Sequence, residues 1–228
     1  MTRDANPSLD AGVTRWWLVR HAPVDPAMKG RLYGSADVAC DTSDVASFRA
    51  LAAKLPADAL WVTSHLSRAK ETAAAIRAAG LDAPDPEIDP EIREQDFGDW
   101  QGLSWAEMET TDPAVYAAFW EAPARNAPPG GESFAGMMDR LAAVLDRYNT
   151  DHAGRDIVAV CHAGSIRAAL AHAMGLSPES GMAVVIDTLS LTRMDHVTGG
   201  LLRGKGAAWR VVGVNHPPAA PLPEGFVR

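Results

Sequence analysis

Three short apolar runs, each broken off by a polar or cationic residue, constrain this chain more than any other feature. They are Trp16-Trp17-Leu18-Val19 ending at Arg20, Leu60-Trp61-Val62 ending at Thr63-Ser64, and Ile157-Val158-Ala159-Val160-Cys161 ending at His162. Each is continuous rather than alternating, which suits strands buried on both faces of a largely parallel sheet. Helical patterns lie between them. Thr42 or Ser43 is placed to cap a helix through Leu55, with Pro56 beyond its end, and Ser67 to cap the Ala-rich run to Ala79 ahead of Gly80. Gly164-Ser165 opens a run that stops at Gly175. From Glu132 to Tyr148, Phe134, Met137, Met138, Leu141, Val144, Leu145 and Tyr148 recur at helical spacing and predict a core-facing stripe. Runs 183–194 and 208–214 read as closing strands. Strands alternating with helices predict an α/β three-layer sandwich, with a mostly parallel central sheet and helices on both faces.

Residues 95–131 interrupt that rhythm with Trp100, Trp105, Phe119, Trp120 and several prolines. They are predicted to form a small cap insertion over the sheet edge where the strands end; a peripheral helical subdomain is the alternative. The chain then divides into a flexible leader at 1–13, a domain at 14–214 and a Pro-rich tail at 215–228. Leader and tail offer little apolar burial to offset their ordering entropy. A length of 228 residues suits one domain with an insertion. The formal net charge of -8 argues against a nucleic-acid partner, since phosphate backbones select basic surfaces. It is compatible with a small phosphorylated metabolite, which needs only a local cationic pocket. Cys40 and Cys161 make neither a disulfide framework nor a zinc site and read as reduced thiols. No run is long enough for a membrane helix, and the polar N-terminus has no apolar signal core, so a cytoplasmic protein without a membrane partner is expected. The sequence leaves monomer and homodimer both open.

The residues just past each apolar run carry the chemistry. Arg20-His21 stands after the first, Ser64-His65-Leu66-Ser67-Arg68 after the second, and His162-Ala163-Gly164-Ser165 after the third. In open α/β sheets ligands bind beyond the carboxyl ends of the strands. If these strands are neighbours, two arginines and two histidines converge on one crevice, a set suited to a dianion. Helix starts at Ser67 and at Gly164-Ser165 would add backbone N–H groups and positive dipole ends.

Leu18-Val19-Arg20-His21 resembles the signature of the histidine phosphatase superfamily, which includes the cofactor-dependent phosphoglycerate mutases. Thr63 to Ala73 is similar to its second arginine motif, Glu94-Gln95-Asp96-Phe97-Gly98-Asp99-Trp100-Gln101-Gly102 to its acid motif, Pro129 to Phe134 to the segment leading into the late helix, and Val160 to Arg167 to its second histidine motif. The resemblance covers roughly 15–214 in the family's order. It implies His21 as nucleophile forming a phosphohistidine. It implies Arg20, Arg68 and His162 as holders of the transferring oxygens. Glu94 is implied as the acid that protonates the leaving oxygen and then deprotonates water, a role that calls for a buried carboxyl. No metal or other cofactor is implied, because the cationic side chains supply the charge. Ser64, Ser165, Tyr33 and Trp105 are further candidates for lining the substrate site. Asp96 and Asp99 are expected in solvent, His65, His152 and His172 outside the reacting groups, and Arg167 in a structural ion pair.

The chain also departs from the family's pattern. Ala22-Pro23 stands where Gly-Glu is usual, and Ala27 where an Asn phosphate ligand is expected. Mutases of the family carry a Lys where this chain has Trp105, and paired cap arginines where it offers only Arg125. A mutase must hold a bisphosphorylated intermediate, so fewer cations favour a metal-independent phosphomonoesterase. The alternatives are mutase-type phosphoryl transfer, an alpha-ribazole phosphatase, whose ring the cap tryptophans would suit, and a non-catalytic phosphate- or phosphoprotein-binding module.

Overall fold

The computed structural model describes residues 12–201, 208–223 and 226. Most of the expected leader therefore lies outside the described residues. Strands β1 (Val13–Arg20), β2 (Leu60–Thr63), β3 (Glu87–Ile88), β4 (Asp156–Cys161), β5 (Leu191–Val197) and β6 (Trp209–His216) form one sheet in the order β3-β2-β4-β1-β5-β6. The first four in that order run parallel; β5 is antiparallel to β1, and β6 to β5. The helices among the described residues are α1 (Val45–Ala52), α2 (Ser67–Ala78), α3 (Trp105–Thr111), α4 (Pro113–Glu121), α5 (Phe134–Asp151), α6 (Ala163–Met174) and α7 (Pro178–Met182).

The continuous apolar runs become central strands because successive side chains leave opposite faces of the sheet. Trp16, Leu18, Ile157, Ala159 and Cys161 pack with Phe134, Met137 and Leu141 of α5 and Ile166 and Leu170 of α6. Trp17, Val19, Trp61, Val158 and Val160 pack with Phe48 and Leu51 of α1 and Ala69, Ala73 and Ile76 of α2. Both faces are thus covered, which gives the three layers expected. The helical stripe of α5 is buried from Phe134 to Tyr148, with Ser133 accepting the Gly136 N–H at its start. Helix α6 closes on Gly175 at φ +63°, the left-handed conformation that ends many helices.

Several boundaries differ from expectation for local reasons. Helix α1 is capped by Asp44, which accepts the Ser47 N–H, rather than by Thr42 or Ser43, and it ends at Ala52, short of Leu55. Asp41 holds the Ser43 N–H in a preceding turn, so Ser43 lies before the cap. Ser67 is the first residue of α2 rather than its cap. The first closing strand begins at Leu191, because α7 and a turn with Leu189 at φ 59° occupy the preceding residues. The described residues of the tail, 215–223 and 226, pack against the domain. Lys54 donates to the carbonyls of Pro217, Pro218 and Ala220. Phe226 is 0% exposed and meets Trp17 at 6.2 Å between ring centroids. One fully buried aromatic contributes enough to hold a segment of otherwise weak composition.

Within 95–131, α3 begins with a capping box between Ser104 and Glu107. Trp100, Met108 and Phe119 form a small core of their own, with Leu32, Phe97, Leu103 and Tyr116 against it. Among the described residues, no helix is long and apolar enough to cross a membrane.

Candidate active site

β2, β4 and β1 are neighbours in the sheet, and their pairing ends almost level, with Thr63 opposite Val160 and Arg20 opposite Cys161. The next residues along each strand, Ser64, His162 and His21, therefore emerge together at one edge. His21 is 1% exposed, and its backbone N–H extends the ladder to the Cys161 carbonyl at 2.9 Å. Its Nδ1 lies 2.7 Å from the Ala22 carbonyl oxygen. A carbonyl can only accept, so the proton sits on Nδ1 and the lone pair on Nε2. Burial, then the charge of Arg68 and more weakly that of Arg20, push the His21 pKa down from 6.5 to about 3, with the Ala22 bond partly opposing. The imidazole is neutral, with one nitrogen available for attack.

Cationic and donor groups surround it. Arg68 is fully buried and pinned by bonds to the carbonyls of Ala36 at 2.8 Å and Gly34 at 2.5 Å, with its guanidinium 5.1 Å from the Tyr33 ring centre. Arg20 donates to the Ile186 carbonyl at 2.5 Å. Ser64 Oγ lies 2.7 Å from His162 Nε2 and accepts the Leu66 N–H at 3.4 Å. When the Ser64 hydroxyl donates its hydrogen bond to Nε2, the ring proton of His162 is on Nδ1. Burial and the positive groups nearby hold His162 well below its usual pKa. Arg20 Nε, Arg68 Nε and His162 Nδ1 are all buried without a hydrogen-bond partner among the described residues. Leaving such donors unpaired costs about 1–3 kcal/mol each, and an anion beside His21 would satisfy them.

Two helix N-termini were expected to face an anionic ligand; both instead hold a carboxylate of the chain. Asp37 accepts the Ser67 N–H at 2.6 Å and its hydroxyl at 2.9 Å. Glu94 accepts the Gly164 N–H at 3.2 Å and that of Gln95 at 3.0 Å. Gly164 makes this approach feasible, since a Cβ there would collide with Glu94 Oε1. Glu94 is half-buried rather than fully enclosed. Ser165, expected to line the site, spends its hydroxyl on the carbonyls of Ile92 and Arg93 and so anchors the strap that carries Glu94. Ser64 likewise acts through His162.

A cavity of about 290 Å³ opens beside Glu94 and Gly164, with Arg167, Tyr33, Trp105, Phe119 and Trp120 also on its wall; His21, Arg20, Arg68 and His162 are not among its lining residues. Arg167 was expected in an ion pair. Its Nε instead donates to the Val184 carbonyl at 2.6 Å, and it feels the charges of Glu94 and Arg20. Arg167 comes three residues after Gly164, about one helical turn on, so the two share a side of α6 and both line the cavity. Ala27 lies exposed on a short turn, Pro26–Met28, and supplies no phosphate ligand. Arg125 is exposed and paired with Glu179 at 2.7 Å.

A neutral buried imidazole inside a ring of cationic donors, with a carboxylate at its margin, defines an enzyme that transfers phosphoryl groups through histidine. The Histidine phosphatase superfamily (branch 1) profile matches residues 16–203, and the chain belongs to that superfamily. A metal-independent phosphoserine phosphatase of Arabidopsis thaliana is 31% identical over 70% of this chain and 68% of its own length. A glucosyl-3-phosphoglycerate phosphatase of Mycolicibacterium vanbaalenii is 35% identical over 72% of this chain and 76% of its own. Among solved structures, a mycobacterial glucosyl-3-phosphoglycerate phosphatase superposes with a TM-score of 0.74 at 25% identity, over 90% of this chain and 99% of that one. The alpha-ribazole phosphatase of Shigella flexneri, 24% identical over 89% of this chain and 98% of its own, shares the fold with a TM-score of 0.73. The enzyme class expected from the sequence, a phosphatase, agrees with these relationships.

Proposed function

We propose that this enzyme hydrolyses a small phosphorylated metabolite by way of a phosphohistidine at His21. The three unpartnered buried donors around a neutral His21 carry the reading. His21 Nε2 attacks phosphorus as the ester P–O bond breaks, and the departing oxygen takes a proton from Glu94. The ring then bears positive charge, which the Ala22 carbonyl stabilises through Nδ1–H. Arg20, Arg68 and His162 hold the phosphoryl oxygens throughout. Glu94, now a carboxylate, takes a proton from water; the water oxygen attacks phosphorus, the N–P bond breaks, and free phosphate leaves with His21 neutral again.

Hydrolysis is favoured over mutase chemistry because the described residues of the cap offer no spare cation for a second phosphate: Arg125 is committed to Glu179, and Trp105 lines the cavity where mutases of the family have Lys. A purely binding role is disfavoured by Glu94, whose carboxylate is held beside a site otherwise built of anion donors. Segment 95–131 acts as the cap of this site, and the cytoplasm, with both cysteines free, is the compartment we assign. The test is phosphate release from a panel of phosphomonoesters by the wild type beside His21→Ala, with the wild type quenched in alkali and searched for a phosphorylated His21 peptide. Activity lost in the variant together with that adduct is expected. Turnover that survives His21→Ala, or a wild type that binds phosphate and hydrolyses no ester, overturns the proposal.

A further inference from the structure

We propose that the alcohol this enzyme releases carries a flat aromatic or heteroaromatic ring, seated against Trp105 and Trp120. The inference rests on the hydrolase reading above and adds the substrate class. Trp105 is 50% exposed and Trp120 45%, and they are the exposed large aromatic residues among the described residues; the other exposed large hydrophobics are aliphatic. The two indoles lie side by side, with ring centroids 6.0 Å apart and planes at 48°. Bare indole surface beside water is unfavourable, and nothing among the described residues covers it. Both side chains line the cavity that also contains Glu94, the group proposed to protonate the leaving oxygen, so a leaving group beside Glu94 shares one cavity with them.

The indoles are also held in place. Trp120 rests edge-on against Phe119 at 5.3 Å, and Phe119 in turn against the buried Trp100 at 4.9 Å. Such propping keeps the slot open and reduces the ordering cost of binding. Charge at this end of the cavity is already spent: Arg31 is bonded to the Gly102 carbonyl at 2.7 Å and to Glu107 at 3.1 Å. Arg167, the cavity's other arginine, bonds the Val184 carbonyl and senses Glu94, whereas the surface at Trp105 and Trp120 is aromatic and suits an uncharged ring. A volume of about 290 Å³ stands at the lower end of small-molecule sites, enough for a ring on a short linker.

The experiment compares kcat/KM for 2-phenylethyl, 2-cyclohexylethyl and ethyl phosphate. All three release a primary alcohol, so they differ in the ring and little in leaving-group chemistry. The wild type should prefer the phenylethyl ester by at least about tenfold over ethyl and about threefold over cyclohexylethyl. Trp105→Ala and Trp120→Ala should each lower the phenylethyl-to-ethyl ratio by about tenfold, and Trp105→Phe should retain most of it. Tighter binding of 2-phenylethyl phosphate than of ethyl phosphate to His21→Ala, weakened by a further Trp105→Ala, provides a readout independent of turnover. Equal kcat/KM on all three esters, or ratios that the tryptophan substitutions leave unchanged, overturns the inference while the hydrolase stands. No phosphate from any ester, or release untouched by His21→Ala, overturns the hydrolase reading itself and this one with it.

Discussion

Replacing His21 with Asn should alter how stability responds to acid, and the size of the change comes from the geometry. Asparagine can still offer an N–H toward the Ala22 carbonyl, but it has no proton to gain between neutral and acidic pH. In the wild type the folded His21 pKa is depressed to about 3, against an ordinary 6.5. The unfolded chain therefore takes up a proton at this position as pH falls below 6.5, and the folded chain does not until about 3. Stability is fully present above 6.5 and is lost as pH falls toward 3. Between about pH 7.5 and about pH 5 this single group should cost the wild type about 2 kcal/mol that His21→Asn does not lose. Urea unfolding of both proteins at the two pH values measures the difference directly. His162 is depressed in the same direction and remains in both proteins, so its contribution largely cancels. If the two proteins lose stability in parallel, His21 is charged in the folded state, and a neutral nucleophile held by the Ala22 carbonyl is the wrong description.

Three further outcomes are expected. Glu94→Gln should lower kcat on alkyl phosphates by about 10²–10⁴ but affect 4-nitrophenyl phosphate far less, since that leaving oxygen needs no proton; equal losses on both would remove the acid role. Gly164→Ala should fold normally, because Ala favours helix, yet lose activity on alkyl esters as its Cβ displaces the Glu94 carboxylate; undiminished kcat would show that this contact is not needed. Phe226→Ala should destabilise the domain by about 3–5 kcal/mol in a urea titration, and a change under about 1 kcal/mol would mean that the tail is not part of the core.

The sheet was legible because its central strands are buried on both faces, which turns them into unbroken apolar runs that end where the chemistry begins. Arg20, His21, Arg68, Glu94 and His162 could be named because each falls next to such an end or inside a strongly patterned motif, and the structure brings them together. What the sequence concealed depends on single long-range contacts. Phe226 lies in a proline-rich stretch that gives no periodic signal, yet it fills a gap beside Trp17. Asp37 reads as an ordinary loop acid until α2 is placed beside it. Ser165 and Arg167 occupy a recognisable motif, but which of them faces the cavity depends on the helix's rotation about its axis. Ser165 turns toward the Ile92 and Arg93 carbonyls, while Arg167 bonds the Val184 carbonyl and lines the cavity with Glu94.

The atom that orients the nucleophile is the carbonyl oxygen of Ala22, and main chain cannot be deleted by a point substitution. In a catalytic triad the orienting group is a side chain, and its loss leaves the imidazole in the wrong tautomer. Here a mutation can reach the orienting group only by turning its peptide. The side chain that grips that stretch is Thr72, which accepts the Ala22 N–H at 2.8 Å and donates its hydroxyl to the Arg68 carbonyl at 2.6 Å. Nucleophile orientation and the placement of Arg68 thus share one hydroxyl. Residue 22 thus serves the nucleophile through its main chain alone, with its carbonyl on the His21 ring and its N–H on Thr72.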